Sequence, residues 1–165
     1  MKHSLPRTYA LACLSFITAL TLLFCHAREA QAGTLDQGFG VGGGMLVNVN
    51  QTDYPNKIFV LPDGKILIAG NSVWVSFHIY SPSPTLIRLN PNGTLDNTFG
   101  PNGNGTVNSQ HGAFYAVDTI LQPDGKIVMV GSANMGWNTP PNVFALIRFN
   151  ADGTRDTSFG TNGLV

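Results

Sequence analysis

The sequence predicts an all-β fold built from repeated units of antiparallel strands, and three observations lead to this prediction. A segment of about 60 residues occurs twice in the 165-residue chain and begins a third time. Strong turn signals recur in register within it, and no stretch after residue 32 has the periodicity of a helix. A fixed period of this length indicates like modules that stack on one another.

The first 32 residues differ from the rest and are predicted to form the helix of a secretory signal peptide. Lys2 and Arg7 make a basic start, residues 10–24 are an apolar run, and an Ala-Gln-Ala sequence ends at Ala32. This order predicts export, with cleavage near Ala32. The apolar run is shorter than the roughly 20 residues that a spanning helix needs, which disfavours an uncleaved membrane anchor. We therefore expect a periplasmic, cell-surface or secreted protein that has no membrane attachment after cleavage.

The composition of the remaining chain excludes several classes of function. Both cysteines, Cys13 and Cys25, lie in the predicted signal peptide, so a disulfide scaffold, thiol catalysis and cysteine-ligated metal sites are excluded. The remainder has six Lys and Arg residues against eight Asp residues, without a basic cluster. Nucleic-acid binding needs a concentrated positive patch, so this sequence does not predict it.

Each unit closes with an Asp-x-x-Phe-Gly motif, which we call the closure. It defines two whole units, 41–100 and 101–160, and a partial third from residue 161, within a repeat region over 33–165. We expect each phenylalanine ring to pack between neighbouring modules while glycines carry the chain across. The structural residues of the second and third closures are Asp96, Phe99, Gly100, Asp156, Phe159 and Gly160.

Short extended runs separated by turns fill each unit. They are predicted at 45–49, 57–61, 65–70 and 85–90 in the first unit and at 105–108, 114–121, 126–131 and 143–149 in the second. The third run of each unit is continuously apolar in its centre, which suits a strand covered on both faces. A Pro-Asp-Gly turn, with Asp63 and Gly64 or Asp124 and Gly125, precedes that run and is a hairpin signal. Four short antiparallel strands covered on both faces describe a β-propeller blade.

Three motifs in register carry a resemblance to a known family. Pro-Asp-Gly-Lys-Ile, Leu-Ile-Arg-Leu-Asn and Asp-Gly-Thr-Arg-Asp-Thr-Ser-Phe-Gly resemble the delta-60 repeat, an uncharacterised bacterial β-propeller repeat family. The resemblance covers nearly all of residues 35–165. It implies tandem four-stranded antiparallel blades, a partial β-propeller of about two blades, in an exported bacterial protein. The family supplies no catalytic residue or cofactor to carry over.

Two blades do not close a ring, because closed propellers take about four to eight. Three explanations remain open. The chain is a truncated or split piece of a longer gene product, two to four copies of it complete one ring, or it folds as a small two-module sandwich. The expected partners are therefore other copies of the chain or further repeats of a longer protein.

Two arginines, Arg88 and Arg148, occupy the same place in otherwise apolar fourth runs. A buried guanidinium needs a carboxylate or several carbonyls, so we predict that they pair with Asp96 and Asp156 or with the counterparts in the adjoining blade. Their recurrence favours an architectural role over a catalytic one.

Oxygen-bearing side chains alternate over 90–96 and again over 150–156, a pattern that calcium ligands also show. These segments hold one and two carboxylates respectively, fewer than a dedicated calcium loop brings. Asn and Asp are also favoured in turns for backbone reasons. We therefore expect turns here, and no metal or cofactor.

The segments that differ between the units, 71–85 and 132–143, are predicted to be loops, where binding sites usually lie. They contain four candidate ligand-binding residues: Trp74, His78, Tyr80 and Trp137. Aromatic rings there suit stacking on a sugar or gripping a peptide, and the alternative is that the tryptophans cap the blade core. No histidine lies near a nucleophile and an acid, so no catalytic residue is predicted. The sequence predicts an exported structural or binding module without catalysis, or alternatively a lectin-like carbohydrate- or peptide-binding propeller.

Overall fold

The computed structural model describes residues 33–76, 79–109, 114–133 and 143–165, and the predicted signal peptide lies outside them. Residues Leu35–Val165 form one compact unit. The described residues form strands and turns without a helix, so the predicted all-β fold is confirmed. In these residues no helix is long and apolar enough to cross a membrane.

Seven strands form two antiparallel sheets within the described residues. The first sheet has the order β1-β2-β3-β4 and the second the order β5-β6-β7. The predicted runs 114–121 and 143–149 coincide with β5 and β7. The strands are β1 Thr52–Val60, β2 Ile66–Ser76, β3 Ile79–Leu89, β4 Thr106–Asn108, β5 Phe114–Leu121, β6 Ile127–Ala133 and β7 Val143–Phe149.

The boundaries of the sheets do not coincide with the boundaries of the sequence units. The fourth strand of the first sheet, β4, follows the closure at Gly100 and turns back to pair with β3, where Val107 lies opposite Leu86. In the second sheet, Val165 takes the same place beside β7 and exchanges two backbone hydrogen bonds with Leu146, of 2.8 and 2.9 Å. One sheet therefore takes its last strand from the sequence unit that follows.

This offset explains why the predicted strand at 45–49 is wrong. That segment follows the first closure, as β4 follows the second, but the described residues place no strand corresponding to β3 beside it. The amide of Val41 instead donates to the carbonyl of Gly44 in a tight turn. Met45 and Val47 then line a cavity of about 260 Å³ with Ile68 and other residues of the first sheet.

The predicted loop over 71–85 is also wrong, because β2 and β3 continue through most of it as a long hairpin. The segment contains Pro82 and Pro84, a residue type that is uncommon inside sheets, yet both pair in register with β2. Along β3, every second amide points away from β2, and the amide of Arg88 is one of these, since it donates to the carbonyl of Gly105. Pro82 and Pro84 lie an even number of residues from Arg88, so their nitrogens point the same way. A missing amide on that side leaves the β2–β3 ladder intact. Of the predicted loop 132–143, residues 134–142 lie outside the described residues.

Both sheets bulge at the same point of the repeat, at Asn56 in β1 and at Val117 in β5. A glycine lies beside each bulge, Gly70 in β2 and Gly131 in β6. A Cβ atom on Gly70 would stand 2.2 Å from the carbonyl oxygen of Tyr54, and Gly131 is equally crowded. The bulge brings the two backbones so close that only glycine fits.

The hydrophobic core lies between the two sheets. Residues directly opposite each other on neighbouring strands share a face. Ala69 and Leu86 therefore lie on the inner face of the first sheet, and Met129 and Ile147 on the inner face of the second. The buried core residues are Leu67, Ala69, Leu86, Phe99, Val107, Phe114, Ala116, Ile127, Met129, Ala133, Ala145, Ile147 and Phe149. The two blades thus pack face to face, as blades of a propeller do.

Candidate functional site

The Pro-Asp-Gly turns begin the arrangement that holds each closure. The amide of Leu61 donates to the carbonyl of Lys65 at 2.8 Å, and the Asp63 carboxylate accepts from the Lys65 amide at 3.1 Å. Gly64 has a φ of +80°, a conformation that favours glycine. The turn at Asp124 and Gly125 repeats this geometry. Each turn places a lysine at the start of the central strand of its blade.

Asp96 is the centre of the second closure and is almost fully buried. Its Oδ2 accepts from Lys65 Nζ at 2.9 Å and from Arg88 Nε at 2.6 Å. Its Oδ1 accepts from the amide of Thr98 at 3.0 Å and from the Thr98 hydroxyl at 2.7 Å. The predicted Arg88–Asp96 pair is thus present, and the lysine is an additional partner that the sequence analysis missed.

Asp156 repeats this arrangement in the third closure. Its Oδ2 accepts from Lys126 Nζ at 3.0 Å and from Arg148 Nε at 2.8 Å, as predicted for the arginine. Its Oδ1 accepts from the amide and the hydroxyl of Ser158, at 3.1 and 2.6 Å. Because both copies bind the aspartate in the same way, the cluster is a property of the repeat itself.

These partners keep both carboxylates ionised. Burial raises the pKa of Asp96, but hydrogen bonds from Thr98, Lys65 and Arg88 outweigh it and hold that pKa well below its ordinary value. The pKa of Asp156 is lowered in the same direction, first by Ser158 and then by Lys126 and Arg148, against a smaller opposing effect of burial.

Each arginine also stacks on the phenylalanine of its own closure. The guanidinium carbon of Arg88 lies 4.4 Å from the centroid of the Phe99 ring, and Arg148 lies at the same distance from Phe159. This is within the range of a cation–π contact. Arg88 reaches further, because its Nη1 donates to the carbonyl of Ala151 in the second blade at 2.9 Å.

The second closure docks on the Asp-Gly turn of the second blade. The amide of Gly100 donates to the carbonyl of Asp152 at 2.8 Å. The fully buried Phe99 ring fills the space above Gly153, where a Cβ atom would stand 2.8 Å from the ring. The predicted packing of this ring between modules is therefore confirmed.

The first closure docks on the first blade by the same contacts. The Gly40 amide donates to the Asn92 carbonyl at 2.8 Å, and a Cβ atom on Gly93 would stand 3.0 Å from the Phe39 ring. The third closure, with Phe159, has no such turn in the part of the chain that the structure describes, and its ring is only half-buried. Two closures are thus docked and one is open.

A polar contact that the sequence analysis missed joins the two inner faces. Asn71 Nδ2 donates to the carbonyl of Ala116 at 2.8 Å, and the Ala116 amide donates to Asn71 Oδ1 at 2.7 Å. Asn56 Nδ2 donates to the same carbonyl at 3.0 Å. The repeat gave no signal for these residues, because Ser132 and Val117 stand at their places in the second blade.

The outer face of the second sheet, which we call the back face, is uncovered. Its position in the repeat corresponds to the inner face of the first sheet, where Ala69, Pro84 and Leu86 are buried. Val117 is 64% exposed and Phe144 is 93% exposed. The large apolar residues exposed on the back face are Tyr115, Val117, Ile120, Val130 and Phe144.

Of the four predicted ligand-binding residues, only Trp74 has a side chain that the structure describes. It is 55% exposed and borders a cavity of about 430 Å³ that Asn50, Ser81 and Ser83 also line. The backbone of Tyr80 lies in β3. The remaining two candidates, His78 and Trp137, lie outside the described residues.

Oxygen-bearing side chains over 90–96 and 150–156 accept hydrogen bonds within their own turns. Asn92 Oδ1 accepts from the amide of Thr94 at 3.1 Å and from its hydroxyl at 2.7 Å. Asp152 Oδ1 accepts from Thr154 in the same way, at 2.9 and 2.6 Å. Across the described ranges no group of three or more His, Cys, Asp or Glu residues is placed to hold a metal ion.

Comparison with known proteins finds a family model that matches two segments of the repeat region. Residues 61–99 and 122–159 match the model of a family described as "Domain of unknown function (DUF5122) beta-propeller". Each match runs from a Pro-Asp-Gly turn to the phenylalanine of a closure. No curated protein and no solved structure matches the chain.

Proposed function

Because the chain carries two β-propeller repeats, we propose that it is an exported structural or binding module that acts through its sheet faces and has no catalysis of its own. One observation carries this proposal. The back face exposes Val130 and Phe144, at positions that correspond to the buried Ala69 and Pro84 of the first sheet. An exposed apolar patch on a rigid scaffold is typical of an interaction surface.

The absence of catalysis is supported by how the ionisable groups of the closures are used. Asp96 and Asp156 each accept hydrogen bonds from a lysine, an arginine and a hydroxyl of their own repeat. A general acid or base needs a pKa near the working pH, whereas the pKa of each of these groups is shifted away from it.

The binding role is tested with a fluorescent apolar probe, 8-anilinonaphthalene-1-sulfonate, added to the purified exported chain. We expect saturable binding that falls when Phe144→Asp places a charge on the back face. Near-UV circular dichroism serves as the control that the variant keeps its tertiary packing. Probe binding that is the same in both proteins contradicts a role for this face.

Catalysis and export are tested on the same material. Chromogenic esters, glycosides, phosphates and peptides are expected to show no turnover, and turnover that survives repurification contradicts the proposal. N-terminal sequencing of the exported chain is expected to begin at Gly33, since cleavage is predicted after Ala32. An intact N terminus in the exported protein contradicts the predicted cleavage.

A second candidate function, lectin-like binding of a carbohydrate or peptide, is favoured by the exposed Trp74 beside a polar cavity. Indole rings stack on sugar faces, and Asn50, Ser81 and Ser83 supply polar groups nearby. A glycan panel is titrated against the Trp137→Phe variant, in which Trp74 is the one fluorophore of this type. A saturable spectral shift that disappears in Trp74→Ala supports this function, and flat titrations rule it out for the glycans tested.

A further inference from the structure

We propose that the back face of one copy of this chain docks, head to tail, on the outer face of the first sheet of a second copy. We call that second surface the front face. In this assembly the third closure of the first copy competes with the first closure of the second copy. The inference rests on the proposed function, and it names the partner of that module as the chain itself.

The front face corresponds in the repeat to the inner face of the second sheet, which is buried against the first blade. Ile58 and Ile68 lie opposite each other on this face. They correspond in the repeat to Thr119 and Met129, which are fully buried on the inner face of the second sheet. Ile58 is 65% exposed, so the front face keeps apolar area available.

The back face matches the other half of the same interface. Its exposed Val130 and Phe144 correspond to Ala69 and Pro84, which are fully buried on the inner face of the first sheet. Back face on front face therefore repeats, between two copies, the packing that the two blades show within one copy. A head-to-tail contact of this kind closes into a ring or continues as a filament.

A paired change at the centre of the interface favours a second copy over an unrelated blade. Within the chain, Asn71 Oδ1 accepts from the amide of Ala116. On the back face the asparagine is replaced by Ser132, and on the front face the amide is absent because Pro55 stands at the place of Ala116. Because Pro55 has no amide, the loss of the asparagine acceptor leaves no backbone donor unpaired at this point of the docked faces.

The charges at the edge of the sheets are also complementary. Lys57 and Asp118 occupy the same position in the two blades and form an ion pair of 2.9 Å across the interface. In the head-to-tail arrangement, Asp118 of one copy meets Lys57 of the next. The charges then alternate around the assembly, and no like charges face each other.

The competition follows from the equivalence of the closures. In the second copy, the turn at Asn92 and Gly93 is already filled by Phe39 and Gly40 of that copy. The third closure of the first copy, with Phe159, would dock on that same turn of the second copy. Residues 35–47 therefore act as an internal cap, which must leave the turn when the neighbour docks fully.

Equivalent substitutions in the two closures then have opposite effects. We measure association of the exported chain by sedimentation velocity over a concentration series. Phe39→Ala weakens the cap and is expected to raise the association constant about tenfold, whereas Phe159→Ala is expected to lower it about tenfold. Changes in the same direction, or no change in either variant, overturn the competition.

A matched pair of substitutions tests the face. Phe144→Asp is expected to abolish association, because it buries a charge on the back face. Val75→Asp is the control, since Val75 is also exposed and lies in β2, outside the back face and the front face. Equal effects of the two variants overturn the proposal.

Cysteine cross-linking tests the orientation, in chains that carry Cys13→Ser and Cys25→Ser. An oxidised mixture of a Pro55→Cys chain and a Ser132→Cys chain is expected to give a cross-linked dimer, and neither chain alone is expected to do so. Cross-linking of Ser132→Cys with itself shows back-to-back packing and contradicts the proposal. A monomer at all concentrations that still binds the apolar probe through Phe144 refutes self-docking but leaves the proposed function intact.

Discussion

The second and third closures share their internal chemistry and differ in what covers them. In both, an arginine lies 4.4 Å from the phenylalanine ring and pairs with the aspartate three residues before that ring. Phe99 is nevertheless fully buried, whereas Phe159 is half-buried. The difference arises because the turn at Asp152 and Gly153 covers the second closure, and no described turn covers the third.

This comparison separates two contributions to the stability of the repeat. The ion pairs and the stacked ring come from the unit itself, so the second and third closures both have them. The burial of the ring and the cross-blade hydrogen bonds come from the next unit along. Substitutions made in parallel at the two closures and the two faces measure the second contribution.

The largest difference is expected for the phenylalanines. Phe99→Ala removes a fully buried ring and is expected to cost about 3–5 kcal/mol of unfolding free energy. Phe159→Ala removes a half-buried ring and is expected to cost about 1 kcal/mol, measured by urea unfolding at low protein concentration. Equal costs would show that the third closure is covered in solution.

The next difference is expected at the polar contact between the inner faces. Asn71→Ala leaves the buried amide of Ala116 without its acceptor and removes one of the two side-chain donors to its carbonyl, at an expected cost of about 2–3 kcal/mol. Ser132→Ala, at the equivalent place on the back face, is expected to cost about 0.5 kcal/mol or less. Urea denaturation of both variants measures this, and a small effect of Asn71→Ala means that water replaces the amide.

A smaller difference is expected for the arginines. Arg88→Lys loses the bond to Ala151 and the stacked guanidinium plane, at an expected cost of about 1–2 kcal/mol. Arg148→Lys loses the stacking but no bond to a following blade, and about half that cost is expected. Thermal unfolding measures both, and an unchanged melting temperature for Arg148→Lys contradicts a structural role for its pairing.

The sequence predicted what recurs in the repeat. The pairing of Arg88 with Asp96 and the packing of Phe99 followed from residues that appear at the same place in each unit. A residue that recurs reports a contact made inside every unit or at every junction. The strands after the second closure were also predicted well, because each is bounded by strong turn signals.

The sequence did not predict what differs between the units or what depends on register. Asn71 has no counterpart in the second blade, so nothing marked it as a contact to Ala116. The segment 71–85 was predicted to be a loop because it differs between the units. The sequence alone did not show that Pro82 and Pro84 occupy positions of β3 whose amides point away from β2. The strand at 45–49 was predicted because its counterpart in the next unit, β4, is a strand. The sequence repeat does not show that β4 pairs with β3 of the preceding unit, and 45–49 has no such partner among the described residues.

The smallest effect is expected from pH, and here the two closures should agree. The pKa of each of Asp96 and Asp156 is lower in the folded chain than the ordinary value of 3.8. Their ionised contacts therefore contribute fully above about pH 5, and the contribution is lost as the pH falls further, because the unfolded chain takes up the protons first. We expect urea stability to decline below pH 5, and Asp96→Asn and Asp156→Asn each to flatten that decline by a similar amount. A flattening seen for Asp96→Asn alone would mean that the aspartate cluster, like the buried ring, needs the following blade, and the division between the unit and its neighbour would then have to be redrawn.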